Sequence, residues 1–250
     1  MFHSYKKIFI FDLDDTLIIS QNAYSLSFLK FYNLLKKIFK KRIPFIGYLA
    51  SLVEDINKIL IFETDPLTGK SYRFSSRRYP TALVKTYEFL CNKGFGKYDN
   101  DIAEEIYKIG LTTFDSKNYH LIPYSKKILN FLLKNNFYLI LVTLGEKDIQ
   151  NSKILKFNFH KIFYEIHIEE ENKNEKFKFL REKFFDSKII SVGNSYKHDI
   201  IPSFESNIDL IFWFRNITWK GDEVEEVKEY ENLIKIHSLK EIPYILKKFF

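Results

Sequence analysis

A single cysteine, Cys91, in 250 residues excludes an intramolecular disulfide framework. Its place in the helical pattern from Val84 to Cys91 makes it a small buried hydrophobe, not a nucleophile. Glycine and proline are scarce, at 8 and 6 residues, which excludes long disordered linkers. No apolar run approaches the length needed to cross a bilayer. The run after Lys6 and Lys7 is broken by Asp12 too early to form a secretory signal core, so a cytoplasmic chain is expected. Repeats and low-complexity tracts are absent. What remains is 46% hydrophobic and 18% aromatic, enough to fill one large core or a core with a smaller domain.

The net charge of +7 has its densest source between Leu29 and Arg42. There Lys30, Lys36, Lys37, Lys40, Lys41 and Arg42 interleave with Phe31, Leu34, Leu35, Ile38 and Phe39 at three- and four-residue spacing, an amphipathic helix. Such a helix can lie on an anionic membrane, but its commoner fate is to pack its apolar stripe on its own protein. The acidic run Glu169-Glu170-Glu171 is read as a solvated loop. Neither nucleic acid nor membrane is the expected partner.

The chemistry concentrates where apolar runs end. Lys7-Ile8-Phe9-Ile10-Phe11 drives into Asp12-Leu13-Asp14-Asp15-Thr16. The run is too apolar to face water on either side, so it is predicted to be a central strand of a parallel sheet covered on both faces. Ligands of such sheets bind beyond the carboxyl ends of the strands, where Asp12 falls. Asp12 and Asp14, two residues apart, can lean toward a common substrate while Leu13 packs. A second buried-strand pattern, Phe137 to Leu144, ends in Thr143-Leu144-Gly145 before a helical segment, a turn that can aim backbone amides at an anion. A helix N-cap threonine is the competing reading of Thr143. A third, Ile189 to Val192, runs into Gly193-Asn194-Ser195-Tyr196-Lys197-His198-Asp199.

Asp12-Leu13-Asp14-Asp15-Thr16 resembles the first motif of the haloacid dehalogenase-like (HAD) hydrolases, Asp-x-Asp-x-Thr/Val, and the later segments resemble the remaining motifs in order. Thr143 matches the second motif, and a lysine before a helix, Lys173 or the runner-up Lys176, the third. Lys178 is expected to face solvent. Gly193 to Asp199 matches the spacing of the fourth, with Asn194 where its first acid is expected. The continuation Asp199-Ile200-Ile201-Pro202 and the later Thr218-Trp219 resemble a subgroup carrying Gly-Asn-Ser there.

The fold expected is α/β, a Rossmann-like doubly wound parallel sheet. About 120 residues separate Thr16 from the second strand, far more than a crossover helix needs. They contain helical patterns at 23–41, 48–62, 80–92 and 101–114, and a turn at 65–70. The family commonly inserts a helical cap here, which places the cap at 18–119 and the core at 1–17 and 120–250. The return helix is expected at 124–134 after Pro123. Further strands are expected at 162–166, 189–192, 210–214 and 233–236, and a terminal helix from Leu239.

The resemblance implies a Mg²⁺-dependent phosphatase that hydrolyses a small phosphorylated metabolite, a phosphate monoester, through an aspartyl-phosphate. Asp12 would be nucleophile and metal ligand, and Asp14 the general acid and base, its carbonyl also reaching the metal. Thr143, Lys173 and the amides of Leu144 and Gly145 would hold the phosphoryl oxygens, with Asp199 and Asn194 completing the metal site. Mg²⁺ tolerates few protein carboxylates, so a neutral Asn194 weakens this site without forbidding it. The dehalogenase branch lacks an acid at the position of Asp14, which favours phosphatase. The alternative is a catalytically weak or inactive phosphate-binding or regulatory protein on the same fold. Arg77 and Arg78, before Tyr79-Pro80, are the candidates for substrate choice, with surface charge near a helix start as the competing reading.

Overall fold

The computed structural model describes residues 7–215, 228 and 230–249, so Thr218-Trp219 lies outside the described residues. The chain runs through β1 (Lys7–Phe11), β2 (Ile18–Ile19), α1 (Gln21–Phe39), α2 (Ile46–Leu60), α3 (Arg78–Asn92), α4 (Asn100–Leu111), β3 (His120–Leu121), α5 (Ser125–Lys134) and β4 (Tyr138–Leu144). It continues through α6 (Lys147–Lys156), β5 (Glu165–Glu169), α7 (Asn174–Lys183), β6 (Lys188–Gly193), α8 (Ile201–Glu205), β7 (Leu210–Phe214), β8 (Leu233–Ile236) and α9 (Ile242–Leu246). These elements form two compact units, Met1–Gln21 with Tyr119–Phe250, and Asn22–Asn118. The unit boundaries fall just inside the 18–119 expected for the insert, because β2 pairs antiparallel with β3 and this ribbon clusters with the first unit.

The first unit is built on a six-stranded sheet in the order β5-β4-β1-β6-β7-β8, every pairing parallel. Chain order moves outward from β1 through β4 to β5, then returns to β1's other side for β6, β7 and β8. The strand order therefore reverses at β1, whose carboxyl end is the place where open α/β sheets bind ligands. β1 is central because its residues can be nowhere else: Ile8, Phe9, Ile10 and Phe11 are all buried. Ile8 and Ile10 pack with Ile140, Val142, Ile189, Ile211 and Trp213 and with Phe177 and Leu180 of α7. Phe9 and Phe11 stack at 5.5 Å, with Phe137 edge-on to Phe9.

The expected strand at 162–166 is displaced to Glu165–Glu169. Phe163 is buried edge-on against Phe11 in a turn, and the ladder resumes where Tyr164 N–H donates to the Leu139 carbonyl. The return helix begins at Ser125, one residue later than expected, since Tyr124 adopts φ +72°.

The second unit is helical. Ala23, Ser27, Phe31, Leu35 and Phe39 form the buried stripe of α1, at four-residue spacing. Phe31, Leu35 and Phe39 pack with Leu49 and Val53 of α2, Leu83, Tyr87 and Leu90 of α3 and Ile106 of α4. Lys30, Lys36, Lys37, Lys40, Lys41 and Arg42 are exposed. Among the described residues no helix is long and apolar enough to cross a membrane.

Candidate active site

Asp12 leaves β1 still in register, its N–H donating to the Val192 carbonyl of β6 at 3.0 Å. The chain then turns tightly, with the Leu13 carbonyl accepting from Leu17 and Ile18 N–H at 2.9 and 3.1 Å. Asp15 makes the turn possible, in the left-handed region at φ +56°, which short polar side chains tolerate. Its buried carboxylate accepts from Ser20 N–H at 2.8 Å, Ser20 Oγ at 2.6 Å and Gln21 N–H at 3.3 Å, anchoring the start of α1. Burial pushes the Asp15 carboxyl up from its ordinary value, against the pull of these donors.

Three of the predicted residues meet directly. Lys173 Nζ lies 2.6 Å from Asp12 Oδ1 and 2.6 Å from Asp199 Oδ1, with all three side chains buried. Lys176 instead pairs with Glu169 at 3.4 Å, so the lysine at this site is Lys173. Burial raises the Asp12 carboxyl to about 7; Lys173 opposes that rise, while Asp199 and Asp14 add to it. Burial works against the Lys173 ammonium, yet the attraction of Asp12 and Asp199 raises it above its ordinary value. Asp199 arrives from a π-helical turn over Tyr196–Ile200 that follows β6. Its Oδ2 accepts from Ser195 N–H at 2.9 Å, and its side chain lies against Gly193, where an added Cβ would fall on its Cβ, Cγ and Oδ2. Asn194 is also buried, its Oδ1 accepting from Thr16 Oγ1 at 3.2 Å and its carbonyl from Trp213 Nε1 at 2.9 Å.

Asp14 and Thr143 are joined through α6. Gln150 Nε2 lies 2.9 Å from Asp14 Oδ2, 2.6 Å from Thr143 Oγ1 and 2.9 Å from the Leu144 carbonyl. Lys153 Nζ lies 2.9 Å from both Asp14 oxygens. Gln150 and Lys153 are not among the candidate residues that the sequence singles out. Their signal was three-residue spacing on the helix that follows the Thr143 strand, which puts them on one face. One expectation needs correction here. The Gly145 amide is committed to the sheet, donating to the Glu169 carbonyl at 2.9 Å, so it does not offer itself to an anion. Leu144 enters the local network through its carbonyl, which is bonded to Gln150. The need for glycine at 145 is real, because the residue sits at φ +139°.

Arg77 and Arg78 brace the helical unit. Arg77 pairs with the buried Asp65, and Arg78, itself buried, donates to Asn57 Oδ1 at 3.1 Å and to the Arg73 carbonyl.

The oxygen groups past the ends of β1 and β6 are the carboxylates of Asp12 and Asp199, joined by Lys173, and the amide oxygen of Asn194. Among the described residues no group of three or more His, Cys, Asp or Glu could hold a metal ion. A hard cation that keeps most of its waters needs only one or two carboxylates, so this set fits Mg²⁺ and not a soft or nitrogen-preferring metal.

No family model and no curated protein matches the sequence. Solved structures match the whole fold. A haloacid dehalogenase-like family hydrolase from Xanthomonas campestris is 15% identical with a TM-score of 0.71, covering 98% of this chain and 96% of that one. YfnB from Bacillus subtilis, a candidate HAD-hydrolase bound to magnesium, is 21% identical with a TM-score of 0.62, covering 96% and 98%. A 2-haloacid dehalogenase from Pseudomonas syringae is 18% identical with a TM-score of 0.59, covering 98% and 99%. A HAD phosphatase from Thermococcus onnurineus shares the fold as well.

Proposed function

We propose that this chain, which has the fold of the haloacid dehalogenase-like hydrolases, is a phosphatase acting on a small phosphate monoester. The observation that carries the reading is the second carboxylate. Carbon–halogen cleavage needs no proton for an oxygen leaving group, whereas Asp14 is present and held at the site by Lys153 and Gln150.

An Asp12 oxygen attacks phosphorus, forming the aspartyl-phosphate as the bond to the ester oxygen breaks. Asp14 donates its proton to that departing oxygen. It then takes a proton from the water that attacks the aspartyl-phosphate, which frees inorganic phosphate and restores Asp12. Lys173 fixes the Asp12 carboxylate and places positive charge beside the phosphoryl oxygens, and the Thr143 hydroxyl is a donor to them. Asp12, Asp199, the Asp14 carbonyl and the Asn194 amide oxygen are the groups that would hold Mg²⁺, which supplies neutralisation of charge on nucleophile and phosphoryl group.

The test is release of phosphate from p-nitrophenyl phosphate and from an alkyl phosphate, with and without Mg²⁺. Asp12→Asn should abolish turnover, and Asp14→Asn should slow it by about two to four orders of magnitude while sparing binding of inorganic phosphate. Full activity of Asp12→Asn would remove the covalent route. One observation favours a second reading, a phosphate-binding protein with little turnover: Asn194 leaves the cation site one charge short. Tight phosphate binding without hydrolysis of any monoester would establish it.

A further inference from the structure

We propose that Lys153, assisted by Gln150, is the positioning residue for Asp14. The claim rests on the reading of Asp14 as the acid and base of a phosphatase. It starts from an anomaly in α6. This helix buries Gln150, Lys153 and Ile154 while leaving Leu155 outside, so Lys153 is 6% exposed and Leu155 59%. A helix whose only task is packing does the reverse. Burying an ammonium is unfavourable unless it is paired, and the pairing here is complete in geometry. Lys153 Nζ contacts both Asp14 oxygens at 2.9 Å and sits 4.8 Å from the centre of the buried Tyr119 ring, a cation–π contact.

Asp14 opens a tight turn, and its side chain is a quarter exposed. Left to itself, such a carboxylate would sample several rotamers. One ammonium against both oxygens sets its place, and the Gln150 amide at 2.9 Å from Oδ2 sets its direction. The same amide nitrogen lies 2.6 Å from Thr143 Oγ1, so the hydroxyl proposed to hold the phosphoryl group and the carboxylate proposed to serve its leaving oxygen are held by one side chain. The arrangement is a fixed span between a binding group and an acid–base group, the kind of orientation in which a displacement of 1 Å costs about a hundredfold in rate.

The experiment uses the full chain, Mg²⁺, p-nitrophenyl phosphate and glycerol 1-phosphate. Lys153→Met, which keeps the stem and removes the charge, should lower kcat by about 10- to 100-fold, leaving KM and inhibition by inorganic phosphate within about twofold. Lys153→Arg should recover part of the loss. In an Asp14→Asn background the Lys153→Met change should cost less than about twofold, because the group it positions is gone. Equal cost in both backgrounds, or a raised KM with kcat intact, would overturn the inference. Should Lys153→Met not fold, Lys153→Gln provides the same split, with a kcat loss of about 3- to 10-fold that vanishes in Asp14→Asn. Absence of phosphate release by the wild type would refute the phosphatase reading and leave the positional claim to thermal melts. Asp14→Asn and Lys153→Met should then lower Tm non-additively, and additive shifts would overturn the claim.

Discussion

Gly193→Ala is the sharpest test of how Asp199 is held. Gly193 has no left-handed backbone to relieve, so the substitution acts through contact alone. Its new Cβ would clash with Asp199 Cβ, Cγ and Oδ2, all closer than real Cβ contacts allow. A rotamer change cannot clear this, because Asp199 Cβ is fixed to the backbone of the turn. The turn over Tyr196–Ile200 must move, straining the bonds from Asp199 to Ser195 N–H at 2.9 Å and to Lys173 at 2.6 Å. Overpacking costs about 1–3 kcal/mol and fully breaking a buried ion pair about 3–5 kcal/mol. Lys173 retains Asp12, so the expected loss is about 2–4 kcal/mol, or a Tm lower by about 5–15 °C. Trp213 lies in β7 of the sheet unit and the helical unit contains no tryptophan, so intrinsic fluorescence follows the unit in question. A melt within about 2 °C of wild type with turnover intact would show that Asp199 is not pinned by its contact with Gly193.

Asp15→Ala should cost about 2–3 kcal/mol in thermal melts, since it removes the acceptors of Ser20 and Gln21 and places a Cβ-bearing residue without a polar side chain at positive φ. Asp15→Asn, which keeps an acceptor and tolerates that φ, should cost under about 1 kcal/mol at neutral pH. Because burial raises the Asp15 carboxyl, the native state holds its proton more tightly than the unfolded chain; wild type therefore loses stability relative to Asp15→Asn as pH rises through that carboxyl's range, and a gap of opposite slope would refute the assignment. Mg²⁺ affinity should fall about fivefold from pH 7 to 6, with about half a proton released on binding at pH 7, because burial raises the Asp12 carboxyl to about 7 in the ion-free site; calorimetry in two buffers of different ionisation enthalpy measures it, and pH-independent affinity would contradict it. Arg78→Ala should destabilise the helical unit by about 2–4 kcal/mol, having left Asn57 and the Arg73 carbonyl without their donor, and should depress activity equally on all phosphate esters; selective loss on one ester would return Arg78 to substrate recognition.

What could be read from the sequence follows the physics of strands. Phe9 to Phe11, Leu139 to Val142 and Ile189 to Val192 are so apolar that only a parallel sheet covered on both faces accommodates them, and the residues just past their ends had to gather at one edge. The lysine was harder, because Lys173 and Lys176 share one helical start. The choice depends on which side chain turns back to the sheet, and Glu169, at the end of the neighbouring β5, draws Lys176 away. β5 itself was misplaced since Phe163 is apolar for the sake of a turn against Phe11, not a ladder. The same error hid the fate of the Gly145 amide: its acceptor, the Glu169 carbonyl, is visible only once β5 is known to flank β4.

The least legible element was α6, where hydrophobic periodicity points the wrong way: Leu155 faces out and Lys153 faces in. Charge gives that inversion its sense. Asp12, Asp14 and Asp199 crowd the ends of β1 and β6, and Lys173 is shared by the first and last of them. Asp14 would remain a third carboxylate next to this group, raising Asp12 further than it already does. Lys153 supplies the second cation from α6, the helix that follows β4 past Thr143. Asn194 works in the same direction by withholding a fourth negative charge. A neutral side chain at 194 and a buried lysine at 153 thus lower the same electrostatic cost, that of keeping the Asp12, Asp14 and Asp199 carboxylates together.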